Sequence, residues 1–287
     1  MNVLRNPAGL AVVFVGAALL GTACSSNTGP ASSAISSAQA DTVSQVIAGD
    51  AQTEVDYSAA IGASAFAPGA APAAVGCVSR TPASPANSDL DPVPDSVRLT
   101  FTDCIVTYPL SSDTVYGIID ILDPTPTTTD HAWEHHFIGL TRVHVGPLGR
   151  KSSITLNGAR EIVGDSGQLT FTSTDVRTDF QWPNGATASH IRSWNLAFTA
   201  DTAGQIVFDS QLPSGSLSIT GTSTWTRGAN TWTIDASTPS PLHYDVTCTV
   251  RPKFDSGIIK AVVTRNSLTN NVMIQFTACG TYTVTRS

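Results

Sequence analysis

The sequence predicts an all-β chain, an antiparallel meander curled into a sandwich, a barrel or a half-barrel, preceded by one amphipathic helix. Three observations predict it. From Val97 to the end, apolar and polar residues alternate with period two. Turn signals recur at intervals of roughly ten residues. Ser and Thr make up roughly a quarter of the chain, a composition far from the average, while only three of the 287 residues are Lys. A sheet with one face in a core and the other covered in hydroxyls has this pattern.

Taken in order, residues 1–23 read as a signal peptide. The terminal amine and Arg5 are followed by the apolar run Leu10–Leu20, then by small residues before Cys24. Such a run is too short to span a bilayer as a mature helix. Residues 24–40 are Ser, Ala, Thr and Gly without periodicity and read as a flexible tether. Asp41 is a candidate N-cap for a helix over 41–61, in which Val43, Val46, Ile47, Ala51, Val55 and Ile61 fall near one face and Gly49 is a weak point. Residues 62–96 are rich in Ala, Pro and Gly and form a linker, with a short strand expected near Cys77. The β domain covers 97–287. Its clearest strand is Ser216–Thr226, where Leu217, Ile219, Gly221 and Trp225 share one face and Ser and Thr fill the other. About a dozen strands are expected, with turns at Gly146-Pro147, Asn157-Gly158, Asp165-Ser166-Gly167, Asn184-Gly185, Gly228-Ala229-Asn230 and Asp255-Ser256-Gly257.

Charge narrows the partners. The chain carries 15 basic and 22 acidic residues, a net −7, and charged residues are 13% of it. With no basic cluster, a nucleic-acid partner is not expected. Most of the negative balance falls between Cys24 and Ser96, where seven acids meet the single base Arg80, so the β body is nearly neutral.

With Cys24 set aside, Cys77, Cys104, Cys248 and Cys279 form an even set that suits an oxidising compartment. Three pairings are open; Cys77–Cys104 with Cys248–Cys279 is preferred. The second pair meets an obstacle if Tyr244–Arg251, Gly257–Arg265 and Asn271–Cys279 are successive strands, because its cysteines then lie about 10 Å apart, beyond disulfide reach. A bulge near Gly280 or a short central strand would remove it; otherwise the two remain buried thiols. A zinc site competes, but no pair has knuckle spacing.

Leu20-Gly21-Thr22-Ala23-Cys24 resembles the lipobox of bacterial lipoproteins, whose cysteine is lipidated. An ordinary secretory signal cut near Ala23 is the alternative. The pattern Leu242-His243-Tyr244-Asp245 before Cys248, Ser256-Gly257, Thr264-Arg265 and Phe276 before Cys279-Gly280 is similar to the C-terminal half of uncharacterised β-rich bacterial lipoproteins. That resemblance implies fold and location: a palmitate-type lipid anchor at Cys24 and a place in the bacterial cell envelope, at the outer membrane, since Ser25 and not an acid follows the cysteine. It implies no activity.

No catalytic signature appears, and no cofactor or metal is expected. Gly164-Asp165-Ser166-Gly167 resembles the nucleophile segment of trypsin-like proteases, yet Gln168 follows it and the histidines lack the matching context, so a polar turn explains it better. Asp130-His131-Ala132-Trp133-Glu134-His135-His136 is the histidine cluster. On a helix His131 and His135 could chelate zinc, but on a strand they stand about 13 Å apart. Asp89, Asp91 and Asp95 could offer calcium ligands, though a solvated acidic loop is the simpler reading. A four-residue turn would set Trp225 opposite Trp232, either as core packing or as a sugar-stacking platform. The resulting expectation is a non-enzymatic, lipid-anchored envelope protein with a structural or binding role. The alternatives are a carrier holding a lipid or other hydrophobic ligand in the curled sheet, and a glycan-active or hydrolytic enzyme.

Overall fold

The computed structural model describes residues 35–60, 76–91, 93–130, 132–207, 210–265 and 267–287. The expected signal segment, Cys24, His131 and residues 62–75 of the linker lie outside these. One helix, α1 (Ser37–Ala60), precedes twelve strands: β1 (Val78–Thr81), β2 (Ser96–Tyr108), β3 (Ser111–Leu122), β4 (Trp133–Val145), β5 (Lys151–Gly164), β6 (Gln168–Gln181), β7 (Thr187–Ala200), β8 (Gly215–Arg227), β9 (Asn230–Tyr244), β10 (Phe254–Arg265), β11 (Leu268–Ala278) and β12 (Thr281–Arg286). They pair in chain order, all antiparallel, in one sheet that does not close, so β1 and β12 are its edges. The all-β expectation holds at this level, and β1 supplies the short strand expected beside Cys77.

Alternation sorts the faces. Along β7 every second residue from Ala188 to Ala200 is buried, with Trp194, Leu196 and Phe198 at 1% exposure or less. Aromatic rings then form a chain across the strands: Phe198 to Tyr244, Tyr244 to Phe254, Phe254 to Phe276 and Phe276 to Tyr282, with centroids 5.4–6.5 Å apart. These are edge-on or tilted contacts that aromatic quadrupoles favour.

Two expected turns are bulges inside strands. Asn157-Gly158 lies within β5 and Asp255-Ser256-Gly257 within β10, each where the pairing register slips. The first belongs to a line that crosses five strands. Asp103, Gly117, Gly139, Gly158 and Asp175 all have positive φ and sit at successive register slips from β2 to β6. At Gly158 a Cβ would lie 2.6 Å from the Asp175 carbonyl oxygen, and at Gly117 2.5 Å from that of Gly139, so neither position admits a side chain. Bulges bend a strand and increase its twist, and a line of them folds the sheet across its width. An Asn-Gly pair reads as a hairpin turn from local propensity alone; here the strand continues through it.

The helix begins earlier than expected. Ser36, not Asp41, caps it: the Gln39 amide donates to Ser36 Oγ at 3.2 Å, and the Ser36 amide donates to Gln39 Oε1 at 2.8 Å. This reciprocal capping box explains why the last residues of the supposed tether are helical. From Val46 to Asp56 no residue is exposed, and Ile47, Ala51 and Val55 share the core of Leu196, Phe198, Leu217 and Ile274. One helical turn is gripped from opposite sides. Glu54 meets Arg160 on β5 and Arg192 on β7, while Gln52 Oε1 accepts from the Lys253 amide and Asp56 pairs with Arg251 in the β9–β10 loop. The sheet therefore wraps around α1, which occupies its concave side.

Both expected disulfides are present. Cys77–Cys104 and Cys248–Cys279 have Cα–Cα separations of 5.1 and 5.7 Å. The obstacle to the second disappears because Cys248 is not on a strand. β9 ends at Tyr244, and the loop that follows carries Cys248 past the start of β10 to the β11–β12 turn, where Cys279 sits beside a bulge at Ala278.

Candidate functional site

Ionisable groups gather where α1 crosses β5–β7. Asp50 and Glu54, four residues apart, point from one side of the helix into the sheet. Arg192 Nη1 donates to Asp50 Oδ1 and lies equally close to Glu54 Oε1, both at 3.2 Å. Arg160 Nη2 donates to Glu54 Oε1, and Ser173 Oγ to Glu54 Oε2, each also at 3.2 Å. His190 Nε2 faces Asp50 Oδ2 at 3.3 Å. Burial acts to raise the Asp50 carboxyl, but His190, Arg192 and Arg160 outweigh it and hold it below the usual carboxylate range. Burial pushes His190 the other way, toward the neutral form, against the pull of Asp50. Two carboxylates thus face two guanidinium groups and a neutral imidazole, a balanced network whose partners all come from the protein. It acts as a fastener between helix and sheet.

His135 stands beside this network, paired in register with Arg160 and 2% exposed. Burial, with Arg160 and His136 adding to it, drives its pKa down to about 3, so the imidazole is neutral. The other histidine of the expected pair, His131, lies outside the described residues. Trp225 and Trp232 are directly opposite each other in the β8–β9 register, as the spacing predicted. Their surroundings differ. Trp225 is buried, with its ring 3.9 Å from the His190 ring and 5.9 Å from that of Phe180, whereas half-buried Trp232 lies under the Arg265 guanidinium at 4.7 Å. Ser166 occupies the β5–β6 turn, where Asp165 Oδ1 accepts from the Gly167 and Gln168 amides, a hairpin turn as expected. No protein-family model, curated protein or solved structure matches the chain.

In an antiparallel meander alternate turns share one end of the sheet, and here the two ends differ in charge. At one end lie the β2–β3, β4–β5, β6–β7, β8–β9 and β10–β11 turns and the end of β12. This end carries Arg150, Lys151, Arg227, Arg265 and Arg286. Its nearest carboxylates are already paired, Asp113 with Arg142 and His144, and Asp179 with Arg177. Leu110 and Leu148 project from its turns at 77% and 92% exposure, and Trp182 sits in another turn with Arg227 over its ring. The start of the helix is fixed at this end too: the Ile35 amide donates to Asn270 Oδ1 at 3.0 Å, and its carbonyl accepts from Arg286. A groove of about 270 Å³ opens between β4, β5 and β6 toward this end, lined by Arg142, His144, Ile154, Phe180 and Trp182 among others.

The opposite end holds Asp89, Asp91, Asp123, Asp130, Asp165, Asp201 and Asp245. The acidic trio expected in the 62–96 linker is redistributed. Asp95 turns away to accept from the Ser88 amide and hydroxyl, and Asp123, from the β3–β4 loop, joins Asp89 and Asp91 in its place. Burial pushes the Asp91 carboxyl up to about 6, the Val93 amide opposing and Asp89, Asp123 and Asp130 adding to the rise. The Asp123 carboxyl is raised chiefly by burial as well.

The residues that sequence reasoning missed are Asp50, Glu54, Arg160, Arg192 and Asp123. A signal existed for four of them: two acids one turn apart on an otherwise apolar helix, and two arginines in phase with the inward residues Ile162 and Trp194. Asp123 had none, because its approach to Asp89 depends on how two loops pack.

Proposed function

We propose that the chain is an exported envelope protein, anchored through lipid on Cys24, whose β cradle rests on the membrane by its basic end. The observation that carries this is the position of Ile35, pinned at that end, eleven residues after Cys24. Those eleven residues span at most about 40 Å, so an anchored Cys24 keeps this end close to the bilayer. The features there suit a lipid surface: cations attract anionic headgroups, while Leu110, Leu148 and the Trp182 ring are side chains that enter the interfacial layer. The two disulfides support an oxidising compartment. No helix among the described residues is long and apolar enough to cross a membrane, and the lipid would be the anchor.

The test is expression of the full chain in a bacterial host fed labelled palmitate. Labelled protein is expected in the membrane fraction, and Cys24→Ser should remove the label and release the chain. Unlabelled protein that stays with the membrane after Cys24→Ser would overturn the reading. A carrier role is the second reading, and the groove between β4, β5 and β6 favours it. That groove is slightly smaller than the usual ligand pocket, so it would hold only part of an acyl chain. Lipid co-purifying with the Cys24→Ser chain in native mass spectrometry would select this reading.

A further inference from the structure

At the acidic end three carboxylates converge from two loops. Asp89 and Asp91 belong to the β1–β2 loop and Asp123 opens the β3–β4 loop; one carboxylate oxygen of each lies within 4.8 Å of the other two. Each spends its Oδ1 locally. Asp89 Oδ1 accepts from the Asp91 amide at 3.1 Å, Asp91 Oδ1 from the Val93 amide at 2.6 Å, and Asp123 Oδ1 from the Thr125 amide at 2.8 Å. The second oxygen of all three, Oδ2, is shut off from solvent and has no hydrogen-bond partner among the described residues. Asp123 is itself 6% exposed, so its unpartnered oxygen cannot reach water by a small rotation. Asp130 stands just outside, accepting from the hydroxyls of Thr125 and Thr128, and adds a fourth acid. Among the described residues no Lys, Arg or His forms an ion pair with any of the four.

This is the reverse of the Asp50–Glu54 network, where every buried carboxylate meets a guanidinium. Shielded carboxylate oxygens without a partner are costly to keep. We infer that Asp89, Asp91 and Asp123 form a calcium site that ties the β1–β2 loop to the β3–β4 loop at the edge of the sheet. The donor set selects the ion. It is all oxygen, which excludes a preference for zinc or copper, and it comes from irregular loops, which suit the variable six- to eight-fold coordination of Ca²⁺ better than the strict octahedron of Mg²⁺. The site brackets Val93 and Pro94, both buried, so the ion would hold the segment entering β2 against the end of β3. The inference stands independently of the lipid anchor.

The experiment is calorimetric titration of the full chain with CaCl₂ after EDTA treatment, with thermal melts alongside. One Ca²⁺ per chain is expected, with a Kd in the range of about 10⁻⁴–10⁻³ M typical of extracellular modules, a melting midpoint that rises with calcium, and weaker binding of MgCl₂. Asp123→Asn should weaken Ca²⁺ binding at least tenfold, and Asp91→Asn serves the same purpose if that variant does not fold. The inference is overturned if the parent chain neither binds nor is stabilised at about 10 mM calcium, above the weakest such range. It is equally overturned if a folded Asn variant binds calcium as the parent does.

Discussion

Glu54 offers the sharpest test of how the helix is held. Its carboxylate is the shared partner of Arg160 and Arg192, both at 3.2 Å and both about 6% exposed, and it accepts from Ser173 as well. Replacing it by Gln keeps the size and leaves two buried guanidinium groups facing Asp50 alone. Breaking a buried pair from one side costs about 3–5 kcal/mol, because the surviving charge stays desolvated. For a protein of this size, about 2–4 °C per kcal/mol turns that into a fall of roughly 6–20 °C in melting midpoint. The assay is urea denaturation followed by fluorescence, since Trp194 and Trp225 are buried near the network and report its opening. A second variant separates charge from packing. Glu54→Leu combined with Arg160→Met removes one ion pair entirely and should recover a substantial part of the loss, since apolar replacement of a buried pair is often neutral or better. A Glu54→Gln chain within about 0.5 kcal/mol of the parent, the range of an ordinary surface substitution, would refute the reasoning.

Two further outcomes follow from the same geometry. His135, with a folded pKa of about 3 against 6.5 when exposed, cannot take up the proton that the unfolded chain takes as pH falls; stability should therefore decline by about 1.4 kcal/mol per pH unit below 6.5, until the folded pKa is reached. Asp50, held below its ordinary pKa of 3.8, adds its loss only at and below about that pH, so urea midpoints from pH 7 to pH 4 should show a shallower decline in His135→Gln than in the parent; equal slopes would sink the assignment. Gly158→Ala should cost at least about 1–3 kcal/mol, since it combines positive φ with a Cβ placed 2.6 Å from a backbone oxygen, whereas Gly49→Ala in α1, where a Cβ meets nothing within 4 Å, should be neutral or stabilising.

Much of the fold is legible in the chain. Leu217, Ile219 and Trp225 face the core because a strand alternates its side chains by local geometry alone, and the same rule places Trp225 opposite Trp232 once the turn length is known. Bulges are less legible. Asn157-Gly158 has the composition of a turn, and only the continued pairing of β5 with β4 and β6 makes it a bulge. The start of α1 was hidden for a different reason: Ser36 and Gln39 sit in a stretch of Ser and Ala that reads as a tether until the two side chains are seen to cap each other.

The sequence by itself determined the strands, their buried and wet faces, most of their turns, the presence of a helix and an even set of four cysteines, all of which follow from short-range periodicity and from counting. The tertiary structure alone decided that the helix lies inside the sheet, that Glu54 meets arginines more than a hundred residues away, that Asp123 replaces Asp95 beside Asp89 and Asp91, and that a nearly neutral body has one basic and one acidic end. The physical reason is common to these four. Local rules set where each side chain points relative to its own strand, but which distant side chains meet depends on the curvature that the bulges impose and on the order in which the turns alternate between the two ends.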